Sequence, residues 1–187
     1  MRLQIVVFIC FAFAFSTALG LGDWDPEEIE EKKIESEEAV GNLLREHPDA
    51  QKFFDKSVAW VVIPTVGKGA IGVAGAARGK GLLFEDGEAT AGVTLKQYTV
   101  GLQFGGQAYS EFIFFEDEEV VKDFKHGNFE LGAQASAVAI TAGTSIDASF
   151  VDGMAIFTID KGGLMYEASV GGQKFKVQPL WEEGELD

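Results

Sequence analysis

The segment from Val58 to Phe84 holds six glycines between two apolar runs, at positions 67, 69, 72, 75, 79 and 81. Glycine at this density indicates that the backbone adopts positive φ angles or closely approaches a neighbouring strand or a ligand. The first apolar run, VAWVVI, ends at Pro64, and the second is followed by Asp86-Gly87, a two-residue hairpin signal. The segment therefore predicts β-strands that pack closely and turn tightly.

Apolar runs continue along most of the remaining chain. They predict strands over 58–63, 69–77, 80–84, 89–95, 98–104, 107–115, 129–141, 145–150, 154–159, 163–170 and 173–178. Gly105-Gly106 and Gly171-Gly172 are further two-residue turn signals. In the last strand, the alternation puts Lys174 and Lys176 on one face and two apolar side chains on the other.

Helical signals are confined to two places. Asp25 can cap a helix that starts at Pro26 and ends before His47-Pro48, and a second short helix over 50–57 follows. Asp117 can cap a third helix, which ends near Gly127. The fold prediction is an α+β domain that is mainly β, an antiparallel barrel-like or sandwich structure with N-terminal helices and one short inserted helix.

The first twenty residues resemble an export signal. Arg2 is followed by an apolar run from Ile5 to Phe15 and by the small-residue box Ala18-Leu19-Gly20. We therefore expect residues 1–20 to be a signal peptide, 21–56 an acidic helical arm, 57–180 the β-rich domain and 181–187 an acidic tail. Export predicts a periplasmic or secreted bacterial protein, with membrane association as a further expectation.

The charge balance narrows the classes of partner. The net charge is −15, from 15 basic and 30 acidic residues, so the chain repels nucleic acid phosphates at long range. The single cysteine, Cys10, lies in the leader, so the exported chain can form neither a disulfide nor a thiolate metal site. Because the net charge is negative, any site for an anion must depend on a local group of cations.

Motifs of catalysis are weak in this chain. Gly67–Gly72 matches G-x-G-x-x-G, but Pro64 separates it from the preceding strand and the glycines that follow would make a poor helix, so a dinucleotide site is rejected. His47 and His126 lie at helix ends without metal-ligand spacing. We expect no enzymatic activity, no cofactor and no metal. A hydrolase that uses scattered carboxylates stays open, although Glu111 is expected on a solvent-facing side of its strand.

One local cluster of cations stands out against this acidic background. Lys68, Arg78 and Lys80 lie within the glycine-rich segment, where exposed backbone N–H groups and three cations together could hold a phosphate or a lipid headgroup. The alternative is that they are unrelated surface cations on neighbouring turns.

Several motifs in this order resemble the SYLF domain, also called Ysc84 or DUF500. They are the run AWVVIPTVGKGAIGVAGAARGKGLLF, the segment YTVGLQFGGQ from Tyr98, the segment FELG from Phe129, and KGGLM from Lys161. The resemblance covers residues 50–178 and implies a β-rich domain without enzymatic activity. Eukaryotic members bind membrane phosphoinositides, some bind actin, and an amphipathic N-terminal helix contributes to membrane contact. Bacterial members look exported.

The chain departs from the family pattern at three points. Its N-terminal helix is acidic, Ala91-Gly92-Val93 replaces the usual tyrosines after the Asp86-Gly87 turn, and Phe129 replaces the usual tryptophan. Phosphoinositide and actin binding therefore do not transfer directly, and a bacterial envelope lipid is the expected ligand.

The leading hypothesis is a non-enzymatic, exported, lipid-binding envelope protein. Lys68, Arg78 and Lys80 would hold the headgroup. Phe53, Phe54 and the helical face 39–44 are candidate lipid contacts, with core packing as the alternative for both phenylalanines. Other hypotheses are a small outer-membrane β-barrel, a protein-interaction module similar to actin-binding domains, and a hydrolase that uses scattered carboxylates.

Overall fold

The computed structural model describes residues 24–126, 130–131, 138–140 and 149–180. Its elements are α1 (Pro26–Glu46), a 3-10 turn (Pro48–Ala50), α2 (Gln51–Lys56), β1 (Ala59–Glu85), β2 (Glu88–Phe115), α3 (Glu118–Lys125), β3 (Glu130–Leu131), β4 (Val138–Ile140) and β5 (Met154–Pro179). The predicted signal peptide, the acidic tail and most of the predicted strands 129–141 and 145–150 lie outside the described residues. The α+β, mainly β class is confirmed.

Three unusually long strands form the sheet. They follow the order β1-β2-β5 and every neighbouring pair is antiparallel. Short β3 is antiparallel to the end of β5, and short β4 is parallel to its beginning. Within the described ranges no ladder joins β1 to β5, so the sheet is not closed as a barrel.

The prediction of many short strands is wrong, since each long strand runs through several of them. Gly105-Gly106 and Gly171-Gly172 are not turns but paired positions inside β2 and β5. Gly105 has a φ of 116°, so glycine here redirects a continuous strand without ending its hydrogen bonding. At Asp86 and Gly87, with φ of 52° and 83°, the predicted hairpin turn is confirmed.

The long ribbon curls until the two ends of β1 meet. A Cβ atom at Gly81 would lie 2.0 Å from the carbonyl oxygen of Val62, and one at Gly79 would lie 2.6 Å from Cγ2 of Ile63. The close backbone approach inferred from the glycine density is therefore confirmed at these two positions. The curled sheet encloses its main apolar core between two inner faces, with members including Val61, Ile63, Leu83, Val93, Leu95, Ile113, Phe115 and Phe175.

The helices cover both ends of this ribbon and leave its middle uncovered. At its N-terminal end α1 contributes Ile29 to an apolar cluster that includes Leu82, and near its C-terminal end it contributes Leu43 to a cluster that includes Phe112. α3 contributes Phe124 to the inner core, 5.0 Å from the ring of Phe115.

Both predicted helix caps are confirmed. The Asp25 carboxylate accepts from the Glu28 N–H at 2.8 Å, and Asp117 accepts from the Val120 N–H at 3.0 Å. Within the described ranges, no helix has both the length and the apolar character needed to cross a membrane.

Candidate site on the outer face of the bend

The middle of the curled ribbon, here called the bend, comprises residues 67–77 of β1, residues 97–108 of β2 and the part of β5 paired with them. Alternation along β2 separates two faces. Tyr98, Val100, Leu102 and Phe104 are 56% to 72% exposed, whereas Thr99 and Gln103 between them are buried. The outer face of β2 therefore presents four large apolar side chains to solvent.

β1 adds two more side chains to this face. Ile71 is 85% exposed and lies directly opposite Phe104 in the register, so the two side chains point to the same side. Val73 is 63% exposed and occupies the register shift between Gly72 and Ala74. We call these six residues of the outer face the apolar patch: Ile71, Val73, Tyr98, Val100, Leu102 and Phe104. An exposed apolar surface of this kind is typical of an interaction site.

Three cations lie side by side next to the apolar patch. Arg78 of β1 pairs in register with Lys96 of β2, which pairs in register with Lys174 of β5, and all three side chains are exposed. We call these three residues the basic row. Lys96 precedes Tyr98 by two positions, so the row and the patch share the outer face. Two residues beyond the row, Lys80 of β1 and Lys176 of β5 occupy the next outward-facing positions.

The basic row is electrostatically unusual. Like charges directly opposite each other on neighbouring strands destabilise a sheet, and here three follow in succession within a chain of net charge −15. Lys174 also faces Glu130 of β3 in the register. None of the salt bridges among the described residues includes Arg78 or Lys96. Within the row, Arg78 and Lys96 are therefore suited to hold an anion.

The structure does not bring the three predicted cations together. Lys68 lies two positions from buried Val66 and two from buried Ala70, so it shares their face of β1. This face is opposite to the one that carries the apolar patch. The ammonium of Lys80 lies 2.6 Å from the Glu28 carboxylate and 4.8 Å from the centre of the Trp24 ring, so the start of α1 engages it. Arg78 alone joins the basic row.

Sequence reasoning missed Lys96 and Lys174 as partners of Arg78. The three residues are far apart along the chain, and only the strand register places them in one row. One signal was present, because the alternation in β5 already assigned Lys174 and Lys176 to a single polar face.

Both predicted phenylalanine contacts lie in the helix–sheet core. Phe53 is buried, with its ring 4.6 Å from Phe157 and 5.7 Å from Phe114. Phe54 is half-buried and packs edge-on against Phe114 and Trp60. Core packing, the alternative for these residues, is what the structure shows.

The expected solvent exposure of Glu111 is wrong. Glu111 is completely buried on the inner face, where one carboxyl oxygen accepts from Gln173 Nε2 at 3.0 Å and the other has no partner among the described residues. Burial raises the pKa of Glu111 to about 8, against the opposing effect of the Gln173 hydrogen bond. No group of three or more His, Cys, Asp or Glu in the described part of the chain could hold a metal ion.

A groove of about 510 Å³ lies at the other end of the ribbon, between the hairpin turn and α3. Its lining includes Trp60, Glu85 and Lys125, and the last two form an ion pair of 2.8 Å. Although burial acts to raise it, hydrogen bonds from Lys125 and Thr90 hold the pKa of Glu85 below its usual value. Glu85 and Lys125 in the groove therefore neutralise each other. The outer face of the bend instead presents apolar and cationic groups to solvent.

Known proteins resemble parts of this chain that include the β2 and β5 segments of the site. The family model Ysc84, described as "Las17-binding protein actin regulator", matches residues 96–183, which include Lys96, most of β2, α3 and β5. Beta cell expansion factor A from Aeromonas veronii is 26% identical over 141 residues, which are 74% of this chain and 53% of that protein. The chain thus spans about half the length of this relative. These matches confirm the resemblance to the SYLF family, and the Ysc84 family model places it at residues 96–183 of this chain.

Proposed function

We propose that this protein is a non-enzymatic domain of the bacterial envelope, periplasmic or secreted, that binds anionic phospholipid surfaces through the basic row. The observation that supports the proposal is the register of Arg78, Lys96 and Lys174 across three neighbouring strands. Phosphate groups of lipid headgroups would relieve the repulsion between Arg78 and Lys96, and Arg78 can bind a phosphate with two parallel hydrogen bonds.

The overall negative charge is compatible with this local attraction. At physiological ionic strength, exposed charges more than about 8 Å apart are largely screened from each other. A headgroup at the bend therefore responds mainly to the nearby cations rather than to the net charge of the chain. Each Lys or Arg near an anionic surface contributes about 1 kcal/mol of binding free energy.

Co-sedimentation with vesicles tests the proposal. The purified protein is mixed with phosphatidylglycerol-containing vesicles or with neutral phosphatidylcholine vesicles, at low and at moderate salt. We expect salt-sensitive binding to the anionic vesicles. Replacing two cations by Arg78→Ala and Lys96→Ala should weaken it about thirtyfold, from the roughly 1 kcal/mol that each contributes.

A matched double variant controls for the change in net charge. Lys56→Ala and Lys122→Ala also remove two exposed cations, but they lie on α2 and α3, away from the bend. This variant should bind anionic vesicles almost as well as the wild type. Equal loss of binding in the two double variants would show that overall charge, and not the basic row, controls attraction to the membrane.

A protein partner is the second candidate, and the description of the family model favours it. Exposed apolar side chains beside cations also suit a protein surface. Co-sedimentation with filamentous actin tests the activity named in that description directly. Actin binding that the Val100→Asp substitution abolishes, together with no binding to vesicles, would favour this candidate over the lipid surface.

A further inference from the structure

We infer that the apolar patch inserts into the hydrocarbon of an anionic bilayer while the basic row contacts the headgroups. This inference rests on the proposed function and deepens it, because it specifies how the lipid surface is held. The basic row alone would give a protein that rests on the headgroups and dissociates when salt is added.

The order of outward-facing residues along β2 matches the polarity profile of one bilayer leaflet. From Lys96 the outer face presents a cation, then the ring and hydroxyl of Tyr98, and then three purely apolar side chains that end at Phe104. Tyrosine favours the boundary between headgroups and hydrocarbon, because its ring is apolar and its hydroxyl is polar. Successive outward positions are about 6.6 Å apart at the usual rise of a strand. A tilted β2 would therefore place Lys96 at the headgroups when Leu102 is in hydrocarbon.

The distribution of acidic residues favours a lipid surface as the occupant. The chain contains 30 Asp and Glu residues, yet none lies between residues 58 and 84 or between residues 89 and 110. These ranges include every residue of the apolar patch and two of the three cations in the basic row. A carboxylate on this surface would be repelled by anionic headgroups and would lose hydration on insertion. A second copy of this chain offers apolar surface but no anions at the corresponding positions.

Backbone pairing on both sides of β2 makes the insertion of its outer side chains physically acceptable. The β1 and β2 segments of the bend are hydrogen-bonded to each other, and β2 is hydrogen-bonded to β5 on its other side. The N–H and C=O groups of β2 therefore stay hydrogen-bonded when the side chains of its outer face enter hydrocarbon. The strongly exposed Ile71 and Val100 would then lie in an apolar medium instead of water.

A depth-sensitive probe tests the inference on the whole protein. Leu102→Cys is labelled with an environment-sensitive dye in a Cys10→Ser background, and the protein is mixed with phosphatidylglycerol-containing vesicles that carry doxyl quenchers along the acyl chain. We expect a blue shift and quenching by the acyl-chain quenchers. The same dye at Lys56→Cys on α2, remote from the bend, should show neither effect.

A second variant connects insertion with affinity. Val100→Asp combined with Leu102→Asp changes two exposed side chains, so the core is left intact. We expect the variant to bind anionic vesicles at least tenfold more weakly, and to lose the fraction of binding that persists at high salt in the wild type.

The outcomes separate this inference from the proposed function. If binding depends on Arg78 and Lys96 but the dye at position 102 stays unquenched, headgroup binding stands and insertion is refuted. If no vesicle binds the protein, both fail. A blue shift without lipid, accompanied by a dimer in analytical ultracentrifugation, would show instead that a second copy covers the apolar patch.

Discussion

Glu111 makes the stability of this protein depend on pH in a direction that a single substitution can reveal. Its carboxyl group is fully buried, and its pKa is raised from 4.5 to about 8. Between these two pH values the folded protein keeps a proton that the unfolded chain has released. Stability from this group is therefore fully present below about pH 4.5 and is lost as the pH rises toward 8.

The size of the effect follows from the two pKa values. At about 1.4 kcal/mol for each pH unit, the rise from 4.5 to about 8 corresponds to a loss of up to ~5 kcal/mol in the free energy of unfolding. Glu111→Gln keeps the shape of the side chain and an oxygen that accepts from Gln173, but it cannot ionise. We expect the variant to match the wild type near pH 5 and to exceed its stability by several kcal/mol near pH 9.

Urea unfolding at a series of pH values measures this difference. Buried Trp24 and half-buried Trp60 report unfolding through their fluorescence, and an unchanged slope against urea shows that both proteins expose the same surface. Glu88→Gln, at the exposed start of the same strand, controls for the loss of one carboxylate. If the curves for Glu111→Gln and the wild type stay parallel at all pH values, Glu111 does not hold its proton in the folded state.

Two further predictions concern packing. Gly81→Ala should destabilise the protein by about 3 kcal/mol or more, because the new Cβ would lie 2.0 Å from the carbonyl oxygen of Val62. Gly69→Ala, in the same strand and with open space around the new Cβ among the described residues, should change the free energy of unfolding by less than about 0.5 kcal/mol. Phe53→Ala should cost about 3–5 kcal/mol because the buried ring leaves a cavity, whereas Ile34→Ala at a position 53% exposed should cost far less. Urea unfolding of all four variants checks these values, and similar losses within either pair would contradict the packing described.

Some features of the fold could be predicted because their causes lie within a few residues. The caps at Asp25 and Asp117 satisfy N–H groups only three residues away. The turn at Asp86-Gly87 needs two residues that accept positive φ, and this requirement is local as well. These elements therefore agree with their sequence predictions.

Other features could not be predicted because their causes are distant in the sequence. A pair of glycines suits both a tight turn and a bent but continuous strand, and Gly105-Gly106 belongs to the second kind because β1 and β5 pair with β2 on both sides. Alternation shows that a strand has two faces but not which one is covered, so the predicted solvent exposure of Glu111 is wrong. The engagement of Lys80 by Glu28 also depends on where α1 docks.

The candidate site shows the same division. By itself the sequence determined that the chain is mainly β, that any site for an anion must be local, and that the glycine-rich segment between two apolar runs packs closely, because composition and short-range pattern suffice for these statements. The tertiary structure decided that Arg78 lies beside Lys96 and Lys174, and that six apolar side chains share their face. The register of three long strands aligns residues that are remote along the chain, and the six apolar side chains are exposed in the described part of the structure.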